Sequence, residues 1–442
     1  MKQILLLLPT ASYRNEAFLA AGKVLGVEIM TAADYCHQLA PSWGLAPMLA
    51  LHFDRPAEAA QTVLKSLPQK PDAVLAVDDS GLELAALLAE QLALPGNLPA
   101  AVRLTRDKLA FRQLQRQHGF PCPGFQHLAD SDDPLALLPE IRFPAVVKAR
   151  RLSASRGVIR VDNAEEYNSA LSWARDIQGK ADRDARELGL IIEDFIPGSE
   201  HALEGILQHD KLTPLALFDK PDPLDGPYFE ETIYVTPSRL PEKIQAEILA
   251  AVQNICRLTG LSTGPIHAEM RINAAGVWLL EVAARSIGGL CGRVLTHALG
   301  MPIEQLILQQ ALDLPPLPLA HAANGDGNGN GNTDASGVMM IPIPRRGIYR
   351  GVHNLEAALK TPGITDIRMV ALPGQTLVPP PEGASYLGFI FSRAATPAAA
   401  EIALRTAQRL LAFDITPEHA LKPLAAKRGQ CGRIVGMAGA AR

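Results

Sequence analysis

The sequence predicts a multidomain protein, α/β where the chain opens and α+β where it closes, and three features carry that prediction. Strand and helix patterns alternate at the N-terminus, a hairpin pattern surrounds Ala274-Ala275-Gly276, and several strand patterns precede one helix near the end. The 442 residues exceed one ordinary core, and the length suggests about three domains. With 48% hydrophobic and 20% charged residues the composition is globular, and a net charge of −4 argues against an extended nucleic-acid surface.

Taken in order, residues 3–9 read as an apolar strand, 15–25 as a helix and 27–31 as a second strand, a βαβ unit of a parallel sheet. Residues 72–77 give another strand, ending in Asp78-Asp79-Ser80-Gly81, where Asp79 or Ser80 is expected to cap a helix over 82–92. No G-x-G-x-x-G is present, so the likeness of this part to a dinucleotide fold carries no function. After a turn cluster at 94–99, one helix is expected from Thr105, with Gly119 as its stop and Lys108 in its first turn. A cation there opposes the helix dipole, so Lys108 is either a solvated surface lysine or a group awaiting an anion.

Residues 143–148 form a strand ending on Lys148, and the stretch 149–157, ARRLSASRG, leads to a strand over 158–161. Such a loop can fold over phosphates through backbone N–H groups and the hydroxyls of Ser153 and Ser155, with Lys148 as a point charge. It is not a Walker A loop, and Ser/Gly turns are common. Strands follow at 190–196 and 201–207; Lys220 and Glu230-Glu231 lie before an amphipathic helix over 242–258.

The hairpin spans 265–273 and 277–283, and a three-residue loop wants glycine at its last position, which Gly276 supplies. Asn273 is then expected to face Val277, Arg271 to face Leu279, Glu269 to face Glu281, and His267 to face Ala283. Opposed carboxylates repel by up to about 1 kcal/mol. Oxygen ligands of this kind suit Mg2+ shared with substrate phosphates; a solvated hairpin in another register is the plainer alternative.

Cys36, Cys122, Cys256, Cys291 and Cys431 show no C-x-x-C spacing, which points to reduced thiols and a cytoplasmic location rather than a zinc site or a disulfide framework. The apolar run 4–8 is too short for a secretory segment, and no run approaches the roughly 20 residues of a membrane span. The stretch 322–337 is Gly/Asn-rich and reads as a flexible linker. Beyond it, strands at 338–343, 364–372 and 387–392 and a helix at 397–411 form a small α+β lobe, with a frayed tail from 423.

Jointly, F-P-A-V-V-K with S-A-S-R-G-V, then I-I-E-D-F-I-P-G-S-E, then H-A-E followed twelve residues after its Glu by E-V-A-A-R, resemble the ATP-grasp superfamily. Within it the chain is similar to carboxylate-amine ligases of the bacterial L-amino-acid ligase type, the bacilysin-synthesising kind included. The resemblance implies an ATP-grasp fold with a Rossmann-like N-terminal domain (1–104), a lid region with its linker helix (105–207), a catalytic subdomain (208–320), a linker (321–337) and a C-terminal α+β lobe with its tail (338–442).

The same resemblance implies roles. Lys108 and Lys148 would contact nucleotide phosphates, and Ser153, Ser155 and Gly157 would belong to the loop closing over them. Glu193 and Ile196 would meet the adenine edge and Glu200 the ribose. Lys220 matches less securely a lysine reaching the terminal phosphates. Glu269 and Glu281 would be Mg2+ ligands, for two ions that Mn2+ can replace, and Arg285 would steady the transferred phosphoryl group. His267 is a further candidate for substrate contact, although a lone strand histidine is more often structural. Many ATP-grasp enzymes have Asn where this chain has Ala283; ligases of the bacilysin-synthesising kind likewise show E-x-A-A-R, and the change leaves the second Mg2+ one ligand short. Gly289 stands where that enzyme has a bulky Trp, which implies a roomier amino-acid pocket.

The expected activity is ATP-dependent ligation of two amino acids, with no nucleic-acid or membrane partner; dimerisation is common among such ligases. The alternatives are an ATP-grasp ligase for another carboxylate and amine, a carboxylase, or a nucleotide-binding protein without catalysis.

Overall fold

The computed structural model describes residues 1–10, 12–34, 49–181, 187–315 and 335–418. The N-terminal segment builds a parallel four-stranded sheet in the order Leu49–Ala50, Glu28–Ala33, Gln3–Leu8, Ala73–Ala76. Every residue of Gln3–Leu8 is buried, because helix Asn15–Leu25 packs on one face and helices Pro56–Ser66 and Leu82–Gln91 on the other. That is why this strand reads as a continuous apolar run rather than an alternating one. Its loop and the loop after Ala73–Ala76 leave the sheet at the carboxyl ends of adjacent strands, where open α/β sheets place ligands.

Two local expectations are corrected here. Helix Leu82–Gln91 has no side-chain cap; Asp78 instead caps the single 3-10 turn Asp79–Gly81 that leads into it, its carboxylate accepting from the Ser80 N–H at 2.9 Å, so Asp79 is left to face another partner. The single helix from Thr105 is two helices, Pro99–Arg106 and Lys108–Gln117, broken by Asp107 in an extended conformation. Asp107 accepts from the N–H groups of Leu109 and Ala110, and Pro99 supplies the start of the first helix, so both ends obey ordinary capping chemistry. Lys108 is therefore the first residue of its helix.

A second sheet, antiparallel and in the order Phe125–Leu128, Leu190–Asp194, Ala145–Ala149, Val158–Val161, carries helix Ala164–Ala181 on one face. The chain leaves it after Asp194 and enters an eight-stranded sheet with Ser199–Gln208. The order of that sheet is Gly276–Ala283, Gly264–Asn273, Ser199–Gln208, Lys211–Lys220, Ile233–Thr236, Ala335–Ile341, Gly388–Ala394, Ile364–Met369. Strand Ala335–Ile341 pairs with Ile233–Thr236, so the C-terminal strands extend the central sheet. Residues 335–337 of the expected linker are thus strand; the rest of it, like the tail from 423, lies outside the described residues. Strands Gly347–His353, Thr376–Leu377 and Ala412–Thr416 make a small separate sheet.

The hairpin keeps the expected pairs Glu269 with Glu281 and His267 with Ala283 but not those at its tip. There Asn273 faces Gly276 and Met270 faces Leu279. The cause is the Asn273 side chain, which accepts from the Ala275 N–H at 2.9 Å and the Trp278 indole at 3.0 Å, tightening the turn by a residue. An irregularity between Glu269 and Met270 then restores the register that sets the two carboxylates opposite each other.

Cys122, Cys256 and Cys291 are free thiols, while Cys36 and Cys431 lie outside the described residues. Among the described residues no helix is long and apolar enough to cross a membrane.

Candidate active site

The three larger parts meet around one cleft of about 420 Å³. Lys108, Lys148, Ser153, Ser155, Glu193 and Ile196 line it from the side of the four-stranded antiparallel sheet and the helix Lys108–Gln117. Glu200, His267, Glu269, Glu281 and Arg285 line it from the central sheet. Gly157 is buried at the base of its loop with φ +64°, and Lys220 sits beneath the floor with its ammonium turned to the carboxylates.

Lys148 projects from the centre of its sheet toward Glu193 on the neighbouring strand, at 2.5 Å, and Glu193 also pairs with Arg112 at 2.8 Å. Burial pushes the Glu193 carboxyl up, but the charges of Arg112 and Lys148 outweigh it and hold it at about 2. Lys108 donates to the Leu152 carbonyl at 2.6 Å and so ties the start of its helix to the loop. In that loop Ala154 and Ser155 take left-handed φ of +55° and +54°, a strained conformation for residues with a Cβ. Arg156 lines the cleft with a buried Nε that has no partner, an orphan donor of the kind an anionic ligand satisfies.

On the floor, Lys220 touches Glu200 at 2.9 Å, Glu231 at 2.8 Å and Glu269 at 2.9 Å. Burial disfavours its charge, but the three carboxylates raise its pKa well above the ordinary lysine value. Oxygens of Glu200, Glu231 and Glu269 lie within 4.8 Å of one another, an all-oxygen set suited to a hard divalent cation. Glu281 faces Glu269 across the hairpin but accepts no hydrogen bond among the described residues. Glu200 also accepts from the buried Arg271 at 3.0 Å.

His267 is clamped between Glu204 and Glu269 and is 3% exposed, its Nε2 standing 3.2 Å from Glu269. Burial lowers its pKa, yet Glu204 and then Glu269 draw it up to about 10, which makes the ring a fixed cation beside Glu269. Arg285 pairs with Asp79 at 2.6 Å, which joins the N-terminal sheet to the end of the hairpin. Burial opposes the Arg285 charge and Asp79 more than compensates, so its pKa rises.

Away from the loop 149–157 the cleft is aromatic. Tyr13 and Tyr386 meet the Phe389 ring edge-on at centroid distances of 5.4 and 5.9 Å. Gly289 lines this region with φ +61°, but a Cβ there would lie 3.0 Å from Phe389 Cε1. Phe389 stands in the direction a side chain at Gly289 would take.

Sequence reading missed Glu204, Glu231, Arg112, Asp79, Arg156 and Tyr386. Glu231 sat in a visible acidic pair, but the strand after it, Ile233–Thr236, and the preceding Lys211–Lys220 carry too little pattern to show that they are neighbours. The others become visible only when distant segments meet.

The fold and this cleft define an ATP-grasp protein. Residues 141–294 match the ATP-grasp domain, so the chain contains such a domain. Residues 339–416 match the L-amino acid ligase C-terminal domain 2. Carnosine synthase 1 of Gallus gallus is 33% identical over 275 residues, 59% of this chain and 29% of that protein. Alanine–anticapsin ligase of Bacillus subtilis (strain 168) is 27% identical over 255 residues, 54% of this chain and 53% of that protein. The L-amino acid ligase of Bacillus licheniformis superposes with a TM-score of 0.74 at 23% identity, over 94% of this chain and 99% of that one. The chain spans only 29% and 36% of the lengths of the chicken and human carnosine synthases.

Proposed function

We propose that the chain is an ADP-forming carbon–nitrogen ligase that joins two L-amino acids into a dipeptide through an acyl-phosphate, releasing ADP and phosphate. One observation carries the reading. A phosphate-type loop with Lys108 and Lys148 faces Glu269, Glu281 and Arg285 across a single cleft, in a chain whose residues 339–416 match an L-amino acid ligase C-terminal domain.

A carboxylate resists attack because its charge is delocalised and its leaving group would be oxide. Phosphorylation by ATP exchanges that group for phosphate, and the protein's share of the work is positioning and charge neutralisation. Lys108 and Lys148 supply cations at the phosphate loop, and Arg285, oriented by Asp79, supplies one where the acyl-phosphate would form. Glu269 and Glu281, with Glu200 and Glu231 beside them, would hold Mg2+, which when bound neutralises phosphate charge. The amine nitrogen then attacks the acyl carbon, the carbon–oxygen bond to phosphate breaks, and the nitrogen loses a proton.

The relatives also include D-alanine–D-alanine ligase of Cupriavidus taiwanensis, 28% identical over 246 residues, which supports a second pair of carboxylate and amine substrates for the same chemistry. Free thiols at Cys122, Cys256 and Cys291 fit a cytoplasmic enzyme. Incubation with ATP, Mg2+ and pools of amino acids, followed by mass spectrometry and nucleotide analysis, tests the reading. Amino-acid-dependent ADP with a new mass of two residues joined by loss of water supports it, and AMP with pyrophosphate refutes it.

A further inference from the structure

The segment 379–386 runs between the small C-terminal sheet and strand Gly388–Ala394, and it touches both other walls of the cleft. At one end Ala384 and Tyr386 line the aromatic region, and the Tyr386 ring meets the same Phe389 ring as Tyr13 of the N-terminal part. At the other end the Pro381 carbonyl accepts from the Gly157 N–H at 3.1 Å, at the base of the phosphate loop. Next to it Glu382 accepts from the Trp173 indole at 3.2 Å and is held by Arg346. Trp173 lies on helix Ala164–Ala181 and packs with Leu152, Ala149 and Ile177 around that same loop.

A turn closes the segment on itself, the Gly383 N–H donating to the Pro379 carbonyl at 3.1 Å. A Cβ at Gly383 would stand 1.7 Å from the Val378 carbonyl oxygen, so only glycine fits there. The eight residues are therefore a strap of fixed shape rather than a slack connection. A displacement of Tyr386 at the aromatic end has few ways to be absorbed before it reaches Pro381 and Glu382.

We propose that this strap couples the amino-acid end of the cleft to the phosphate loop, with Glu382 and Trp173 as positioning residues that keep the loop closed while the acyl-phosphate exists. The proposal rests on the ligase reading above. Its chemical consequence is protection from water. In an open cleft water attacks the acyl carbon, the bond to phosphate breaks, and carboxylate and phosphate are released without a peptide bond. A closed strap thus fixes the ratio of phosphate released to product formed.

The test uses the full chain with Trp173→Phe, which keeps the ring and removes the donor, Glu382→Ala, which removes the acceptor, and Glu382→Gln, which retains one. Hydrogen exchange without substrates is expected to be about tenfold faster at the Gly157 amide in Trp173→Phe and Glu382→Ala, as on loss of one tethering hydrogen bond, and near wild type in Glu382→Gln. With ATP, Mg2+ and amino acids, the first two variants are expected to release severalfold more phosphate per dipeptide, and Glu382→Gln to stay near one. Unchanged exchange in the first two variants, or an unchanged ratio despite faster exchange, overturns the coupling. A wild-type protein that forms no amide product counts against the ligase reading instead, and the exchange result then decides the strap on its own.

Discussion

The Lys220 ammonium stands 2.9 Å from the Glu269 carboxylate, and Glu200 and Glu231 hold the same ammonium at 2.9 and 2.8 Å. One buried ammonium thus touches three carboxylates, of which Glu200 also has Arg271 and Glu269 also has His267. Lys220→Met removes the cation paired with Glu231 and leaves the cluster short of positive charge, which is expected to cost about 3 kcal/mol. Part of the loss should return on adding Mg2+, because a divalent cation can then take the place of the ammonium. Thermal melts with a chelator and with Mg2+ check this, and a variant whose melting temperature ignores Mg2+ would show that the cluster is not a cation site.

Glu281 faces Glu269 across the hairpin and accepts no hydrogen bond among the described residues. Its carboxylate therefore contributes little to holding the fold. Glu281→Gln is expected to lower turnover about 100-fold, comparable to loss of one preorganised charge-stabilising group, while the melting temperature stays near wild type. Steady-state rates and a melt on the same preparation separate the two effects; a near wild-type rate would remove Glu281 from the metal set.

Asp219 lies on the strand that ends at Lys220. Burial pushes its carboxyl up, but the His201 ring, the Ser238 hydroxyl and Arg239 together bring it down from 3.8 to about 2. A depressed folded pKa stabilises above the ordinary carboxylate value, and that stability is lost as pH falls from near 4 through about 2. The contribution is about 2 kcal/mol. Asp219→Asn should remove it at neutral pH and flatten the acid limb of the stability curve. Denaturant titrations across that range measure it, and an unaltered acid limb would contradict the assignment.

Gly289 combines φ +61° with a Cβ direction that ends on the Phe389 ring at 3.0 Å. Gly289→Ala is expected to cost at least about 1 kcal/mol from backbone strain alone, and Gly289→Trp considerably more. Loss of stability, not a simple change of preferred amino acid, is the expected first effect. A Gly289→Trp protein with wild-type melting behaviour would contradict the close contact with Phe389.

Much of the fold is legible where burial imposes a simple period. Gln3–Leu8, Asn15–Leu25 and Pro397–Leu410 follow directly from apolar spacing and their stop signals. The opposed pair Glu269 and Glu281 was readable because a hairpin is local and its pleat fixes the side-chain faces. The hairpin tip was not, since the choice between loop lengths rests on what one asparagine side chain does. Glu231, Glu204 and Asp79 reach the cleft through pairings between segments far apart in the chain, and single-residue patterns do not encode such distances. The same holds for Phe389, which reaches Gly289 from a strand one hundred positions later.

The most direct measurement is the nucleotide and peptide balance of the purified protein given ATP, Mg2+ and L-amino acids. A dipeptide formed together with equal amounts of ADP and phosphate, and absent without amino acids, is the predicted result. Formation of AMP and pyrophosphate, or phosphate release with no amide product under any amino-acid pair, would contradict ligation through an acyl-phosphate.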